Sequence, residues 1–176
     1  MYKYILDKKI QRYYKRSSRE KRYLNLKNFR TILVLFDTSN YEAADGFIEN
    51  LKKLNKEITA YAFKNKLDLY DYSETPYKII TAKDAGSLFD NKIEEIAREL
   101  KNQQFDAIFD LTLDKNIPLE YLLINAKASI KAGLKKGDRP RYDFSIASLP
   151  ETQDSDHQLK ELGKQIVYYL HTIKSE

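Results

Sequence analysis

The stretch Thr31 to Asp37 (TILVLFD) constrains the fold of this chain more than any other. Its five consecutive apolar side chains leave neither face of an extended strand polar. Both faces must then be covered, which is the situation of a parallel strand inside an α/β sheet. The period changes directly afterwards. Ser39 or Asn40 can cap a helix whose apolar stripe is Tyr41, Ala44, Phe47/Ile48, Leu51 and Leu54. Glu57 to Phe63 (EITAYAF) returns to strand. Lys64 to Pro76 is a polar, tyrosine-bearing loop of thirteen residues, longer than most connections. Tyr77 to Thr81 is a third short strand.

The alternation continues with a helix over about 90–102 and a strand from Phe105 to Leu111. Pro118 suits a first helical turn, and Leu119, Leu122, Leu123 and Ala126 carry that helix on. Ser129 to Leu134 and Tyr142 to Ala147 read as strands on either side of the turn-rich Lys135–Pro140. Ser155-Asp156-His157-Gln158 has the form of a capping box and opens a last helix through Leu159, Leu162, Ile166, Tyr169/Leu170 and Ile173. This order predicts an α/β three-layer sandwich with a mostly parallel sheet, flavodoxin- or Rossmann-like. The order of the strands is not legible.

Charge divides the 176 residues in two. Residues 1–30 hold eleven Lys/Arg against two acids, a charge of +9, and the remainder holds 20 against 24, or −4. The expected organisation is a basic N-terminal arm (1–30) and a single α/β domain (31–176). Within the arm Tyr2, Leu6, Ile10 and Tyr13 recur at helical spacing, so a basic amphipathic helix is predicted over roughly 3–22. Its candidate anion-binding residues are Lys8, Lys9, Arg12, Lys15, Arg16, Arg19, Lys21 and Arg22. Interleaved Tyr and Arg suit stacking and phosphate contact, and so favour RNA or a ribonucleoprotein over lipid. The same stripe also allows two plainer readings: a helix packed on the body, or a homodimer or scaffold contact.

Composition excludes much chemistry. Without cysteine there is no disulfide framework, thiolate zinc site, cysteine nucleophile or iron–sulfur ligation. His157 and His171 alone do not make an imidazole metal cluster, and both read as helix-end residues. The five glycines are scattered, with no G-x-G-x-x-G and no P-loop, which argues against dinucleotide oxidoreductases and nucleoside triphosphatases. There is no G-x-S-x-G elbow. No apolar run approaches membrane-spanning or signal-peptide length, so a cytoplasmic location is expected. No catalytic residue, cofactor or resident metal is assigned.

Ligands of open α/β sheets bind beyond the carboxyl ends of the strands. The candidate pocket residues there are Asp37, Asn40, Lys64, Asp110 and Lys131. Asp37 and Asp110 close strands expected to be neighbours and could converge on Mg²⁺, although acids at such junctions also serve simply as caps. Tyr61, Tyr70, Tyr72 and Tyr77 surround the long loop, either to stack on a ligand or to fill the loop's own core.

The segments Phe105–Leu111 (FDAIFDL), Pro118–Leu123 (PLEYLL) and Ala126–Gly133 (AKASIKAG), with Thr81-Ala82-Lys83-Asp84, carry a resemblance. The chain resembles an uncharacterised family of small Bacteroidota α/β proteins with a basic N-terminal helix. It lacks the tryptophan those proteins often carry after the Lys-Asp pair. The pattern is also distantly similar to the N-terminal half of heptosyltransferase-like glycosyltransferases. The resemblance implies the fold and transfers no activity. The leading expectation is therefore a non-enzymatic domain that binds an anionic partner through its first helix. The alternatives are a small-molecule or degenerate glycosyltransferase-like enzyme using the carboxyl edge, and a scaffold or homodimer.

Overall fold

A computed structural model describes residues 2–16, 25–85 and 92–173. The apolar strand β1 (Thr31–Asp37) lies in the middle of a sheet, between β2 (Glu57–Lys64) and β4 (Gln104–Asp110). β3 (Lys78–Thr81) extends the sheet beyond β2, and β5 (Lys127–Leu134) and β6 (Phe144–Ile146) extend it beyond β4. The order is β3-β2-β1-β4-β5-β6, and every pairing is parallel. This is the doubly wound Rossmann-type order, in which the direction of winding reverses between β1 and β4.

β1 explains why both faces are covered. Ile32, Val34 and Phe36 enter the cluster formed with α2 (Tyr41–Lys53) and α5 (Ser155–Thr172). Leu33 and Leu35 enter the opposite cluster with α1 (Tyr2–Arg16), α3 (Lys92–Lys101) and α4 (Ile117–Asn125). α4 is apolar almost all round, with Pro118 to Ile124 buried. A helix of that kind needs cover on both sides. The sheet supplies one side, and α1 supplies the other through Leu6 and Ile10, each 0% exposed.

Several predicted boundaries move for identifiable reasons. α1 ends its described length at Arg16, and residues 17–22 of the predicted helix lie outside the described residues. The predicted start of α3 at 90 lies outside them too. The cap of α5 is Asp154, whose carboxylate accepts from the Asp156 and His157 amides at 3.0 and 3.2 Å. Ser155 is displaced from that role because its Oγ accepts from Asn40 Nδ2 at 2.7 Å. For the same reason Asn40 makes no side-chain cap on α2. β5 starts two residues earlier than predicted, and β6 keeps only three of its six.

The 65–77 loop replaces the helix that usually crosses between parallel strands. Its tyrosines do that helix's packing. Tyr77 meets Phe36 edge-on at 5.6 Å, and Tyr72 lies 5.2 Å from Tyr41. Tyr61 is buried on the opposite face of the sheet, so the four tyrosines do not form one cluster.

Candidate functional site

Asp110 ends β4 beside Leu35 of β1, at the reversal point of the sheet. It is 3% exposed, and its carboxylate is fully engaged. One oxygen accepts from the Thr112 amide (2.9 Å) and hydroxyl (2.6 Å). The other accepts from the Tyr142 hydroxyl (2.6 Å) and Lys136 Nζ (3.3 Å). Four donors use up the acceptor sites of a carboxylate. Tyr142 reaches this position by lying across Gly133, where a Cβ would come within 2.7 Å of its ring.

The bonding continues away from the sheet. Lys136 also donates to the Thr112 carbonyl at 2.8 Å, and Arg141 donates to the Lys136 carbonyl. Arg141 and Arg139 both hold Glu120 of α4, at 3.0 and 3.2 Å. Arg139 then reaches Asp7 of α1 at 2.9 Å, where Lys115 also contacts it. Burial works to raise the Asp7 carboxyl, but the hydrogen bonds from Arg139 and Lys115 outweigh it and hold the group below its ordinary range. The chain of contacts ties 135–143, α4 and α1 together over the β4–β5 half of the carboxyl edge. Tyr14 of α1 sits at its border. Its hydroxyl is buried without a hydrogen-bond partner among the described residues, and burial next to Glu120 pushes its pKa up.

Asp37, two residues further along β1 than Leu35, is placed differently. One oxygen accepts from Asn116 Nδ2 at 2.7 Å, and the other makes no hydrogen bond among the described residues. Burial pushes the carboxyl up to about 6, with the charges of Asp110 and Asp114 adding to it and Asn116 opposing it. Asp37 and Asp110 do close neighbouring strands, but Asp110 has no lone pair left for a shared cation. Among the described residues no group of three or more His, Asp or Glu is placed to hold a metal ion.

The other three candidate pocket residues are drawn elsewhere. Asn40 spans to Ser155 and Asp156 of α5. Lys64 donates to the Tyr70 carbonyl and lies 5.3 Å from the Tyr72 ring, so it fastens the loop. Lys131 is not at a strand end. It sits three residues inside β5 and is 3% exposed, with its Nζ on the Leu123 carbonyl of α4. Sequence reasoning missed Lys136, Arg139, Arg141, Tyr142 and Glu120. The available signal was Glu120 itself: a lone acid inside an apolar helix must find a buried cation.

On α1 the candidate anion-binding residues separate by helical face. Lys9 pairs with Glu94 of α3 at 2.5 Å. Lys8, Arg12 and Lys15 point away from α4, are exposed, and have no carboxylate partner among the described residues. Tyr4 shares their face at 65% exposure, with Lys8 Nζ 5.2 Å from its ring. Nothing is described of the Arg16 side chain, and Arg19, Lys21 and Arg22 lie outside the described residues. The Leu6/Ile10 stripe is spent inside the chain and does not face outward. Among the described residues no helix is long and apolar enough to cross a membrane.

The chain is similar in fold to the structure titled "The crystal structure of the glycosyl transferase family 9 from Veillonella parvula DSM 2008", with a TM-score of 0.54 and 15% identity. The match covers 88% of this chain and 43% of that one, so this chain spans less than half of its length. No curated protein matches the sequence. The model of DUF6913, a family of unknown function, matches residues 2–173.

Proposed function

The chain belongs to that family of unknown function, and we propose that it binds a polyanion, RNA or a ribonucleoprotein, through the outward face of α1 without catalysing a reaction. The observation that carries this reading is the row Lys8, Arg12 and Lys15, which has no carboxylate partner among the described residues, beside the exposed Tyr4 ring. Cations without protein carboxylates are free to meet phosphates, and an exposed ring offers a stacking surface. Leu6 and Ile10 anchor the helix, so the row is displayed from a rigid support. In the sequence, Arg16, Arg19, Lys21 and Arg22 extend the same basic run.

Because α1 contributes to the core, the test uses full-length protein. Single-stranded RNA mobility shifts at two salt concentrations compare wild type with Lys8→Glu/Arg12→Glu/Lys15→Glu. Three phosphate contacts predict that log K falls with log salt at a slope of about −2. The triple variant should lose both the affinity and the slope. Unchanged binding by a folded triple variant would reject the reading.

A second reading is favoured by Asp37 and by the glycosyltransferase-like fold. It is a small-molecule or degenerate glycosyltransferase-like site at the carboxyl edge, centred on Asp37 rather than Asp110. Asp37 keeps an oxygen unengaged among the described residues and a raised pKa at the position where doubly wound sheets take ligands. Thermal-shift measurements with nucleotide sugars and sugar phosphates test it. Stabilisation of wild type that disappears in Asp37→Asn supports it, and no stabilisation by any of them retires it.

A further inference from the structure

Two features on the α2 side of the molecule belong neither to the surroundings of Asp37 and Asp110 nor to α1. The first is the outer part of the 65–77 loop. Leu67 and Leu69 are 90% and 91% exposed, and Tyr70 next to them is 69% exposed. The loop that carries them is fastened. Asn65 Oδ1 accepts from the Leu67 and Asp68 amides at 2.8 and 3.1 Å. Asp68 in turn accepts from the Thr38 and Tyr72 hydroxyls at 2.5 and 3.0 Å. Two leucines are thus held in water from a set backbone, so little conformational entropy is lost when they are covered. Asp71 and Glu74 stand exposed beside them, with no cationic partner among the described residues.

The second feature is a groove of about 360 Å³ between α2 and α5. Ala43, Phe47, Leu51 and Val167 line it, and Leu54 stands at its edge, 53% exposed. Lys160 on its rim has no ion pair among the described residues, and Lys164 shares the rim while paired with Glu161. Gly46 lies in the interior of α2, where glycine is less favourable than alanine. A Cβ at Gly46 would meet nothing within 4 Å. No close approach inside this chain calls for that glycine. Its effect is to leave the groove clear.

We propose that the groove receives the Leu67–Tyr70 loop of a second copy of this chain. The two surfaces are complementary: paired leucines against an apolar floor, and Asp71 and Glu74 against Lys160 and Lys164 on the α5 side of the groove, whose α2 side carries Glu42. Glu42 lines both this groove and the hollow under the loop, so projection and recess adjoin on one face. The proposed pairing is isologous: about a two-fold axis each copy gives a loop and receives one, and it is this arrangement that closes as a dimer rather than a filament. This contact is separate from α1 and does not rest on polyanion binding.

The test is the mass of the full chain in solution across a wide range of concentration, by sedimentation or light scattering. Wild type should dimerise. Leu67→Asp/Leu69→Asp and Gly46→Leu should each weaken dimerisation roughly tenfold or more, with unchanged circular dichroism. Neither substitution touches the core, so folding is not the variable. Mixing the two variants is the decisive arm. A mixed pair keeps one intact loop facing one intact groove and should regain a heterodimer that neither variant forms alone. A wild type that stays monomeric throughout overturns the proposal. So does a dimer insensitive to both variants, or a mixture that forms no heterodimer.

Discussion

Asp37 and Asp110 are the same residue type at the ends of adjacent strands, and their surroundings give them different chemistry. Among the described residues Asp110 receives four donors, whereas Asp37 receives one and is largely withdrawn from water. The folded protein therefore holds the Asp37 proton more tightly than the unfolded chain does, at about 6 against 3.8. Stability from this group is full below 3.8 and is lost as the pH rises through about 6. Asp37→Asn keeps an acceptor for Asn116 and cannot ionise. Denaturant melts should find it about 1–2 kcal/mol more stable than wild type near pH 8, and no more stable near pH 4. Tyr14 gives a second measurement at this scale. Its hydroxyl is buried without a partner among the described residues, so Tyr14→Phe should be neutral or stabilising by up to about 1 kcal/mol. A clear loss of stability in Tyr14→Phe would mean the hydroxyl does have a partner.

At the level of single elements, α2 and α5 hold two glycines with opposite purposes. Gly163 lets the Phe47 ring lie on α5, since a Cβ there would fall 2.6 Å from the ring, whereas Gly46 faces open space. Gly46→Ala should stabilise the protein by about 0.5–1 kcal/mol through helix propensity alone. Gly163→Ala gains the same propensity but forces Phe47 aside, at about 1–3 kcal/mol, and should be destabilised overall. Melting the two variants side by side checks the sign of each. α4 shows how one element recruits another. Its apolar surface on both sides requires α1, and its single acid, Glu120, requires Arg139 and Arg141.

For the molecule as a whole, the first helix shares a core with the sheet. Leu6 and Ile10 belong to the same cluster as Leu33, Leu35 and Ile108. Leu6→Ala or Ile10→Ala should therefore cost about 2–5 kcal/mol each, as core truncations do. Unfolding should remain a single transition when followed by both tyrosine fluorescence and circular dichroism. A loose arm would instead make these substitutions nearly silent. The charge pattern follows the same arrangement: α1 turns its apolar stripe and Asp7 inward and leaves Lys8, Arg12 and Lys15 facing solvent.

The strands, the helices and their alternation were legible in the chain because each rests on local periodicity. TILVLFD is apolar on both faces wherever it lies in a sheet, and Pro118 marks a helix start from a few neighbouring residues. The divided charge and the helical stripe of residues 2–13 were legible for the same reason. Only the tertiary structure decided which side chains at the carboxyl edge meet. Lys131 was placed at the carboxyl edge although the predicted strand already ran on to Leu134, and only the packing of α4 on β5 shows its amine held by the Leu123 carbonyl. Asn40 looked like a cap until α5 came close enough to take its amide. Lys136 and Tyr142 read as parts of a turn and a strand, yet they close over Asp110 from more than twenty residues away in sequence. Hydrogen bonds of that kind depend on the order in which strands assemble, and local periodicity carries no information about that order.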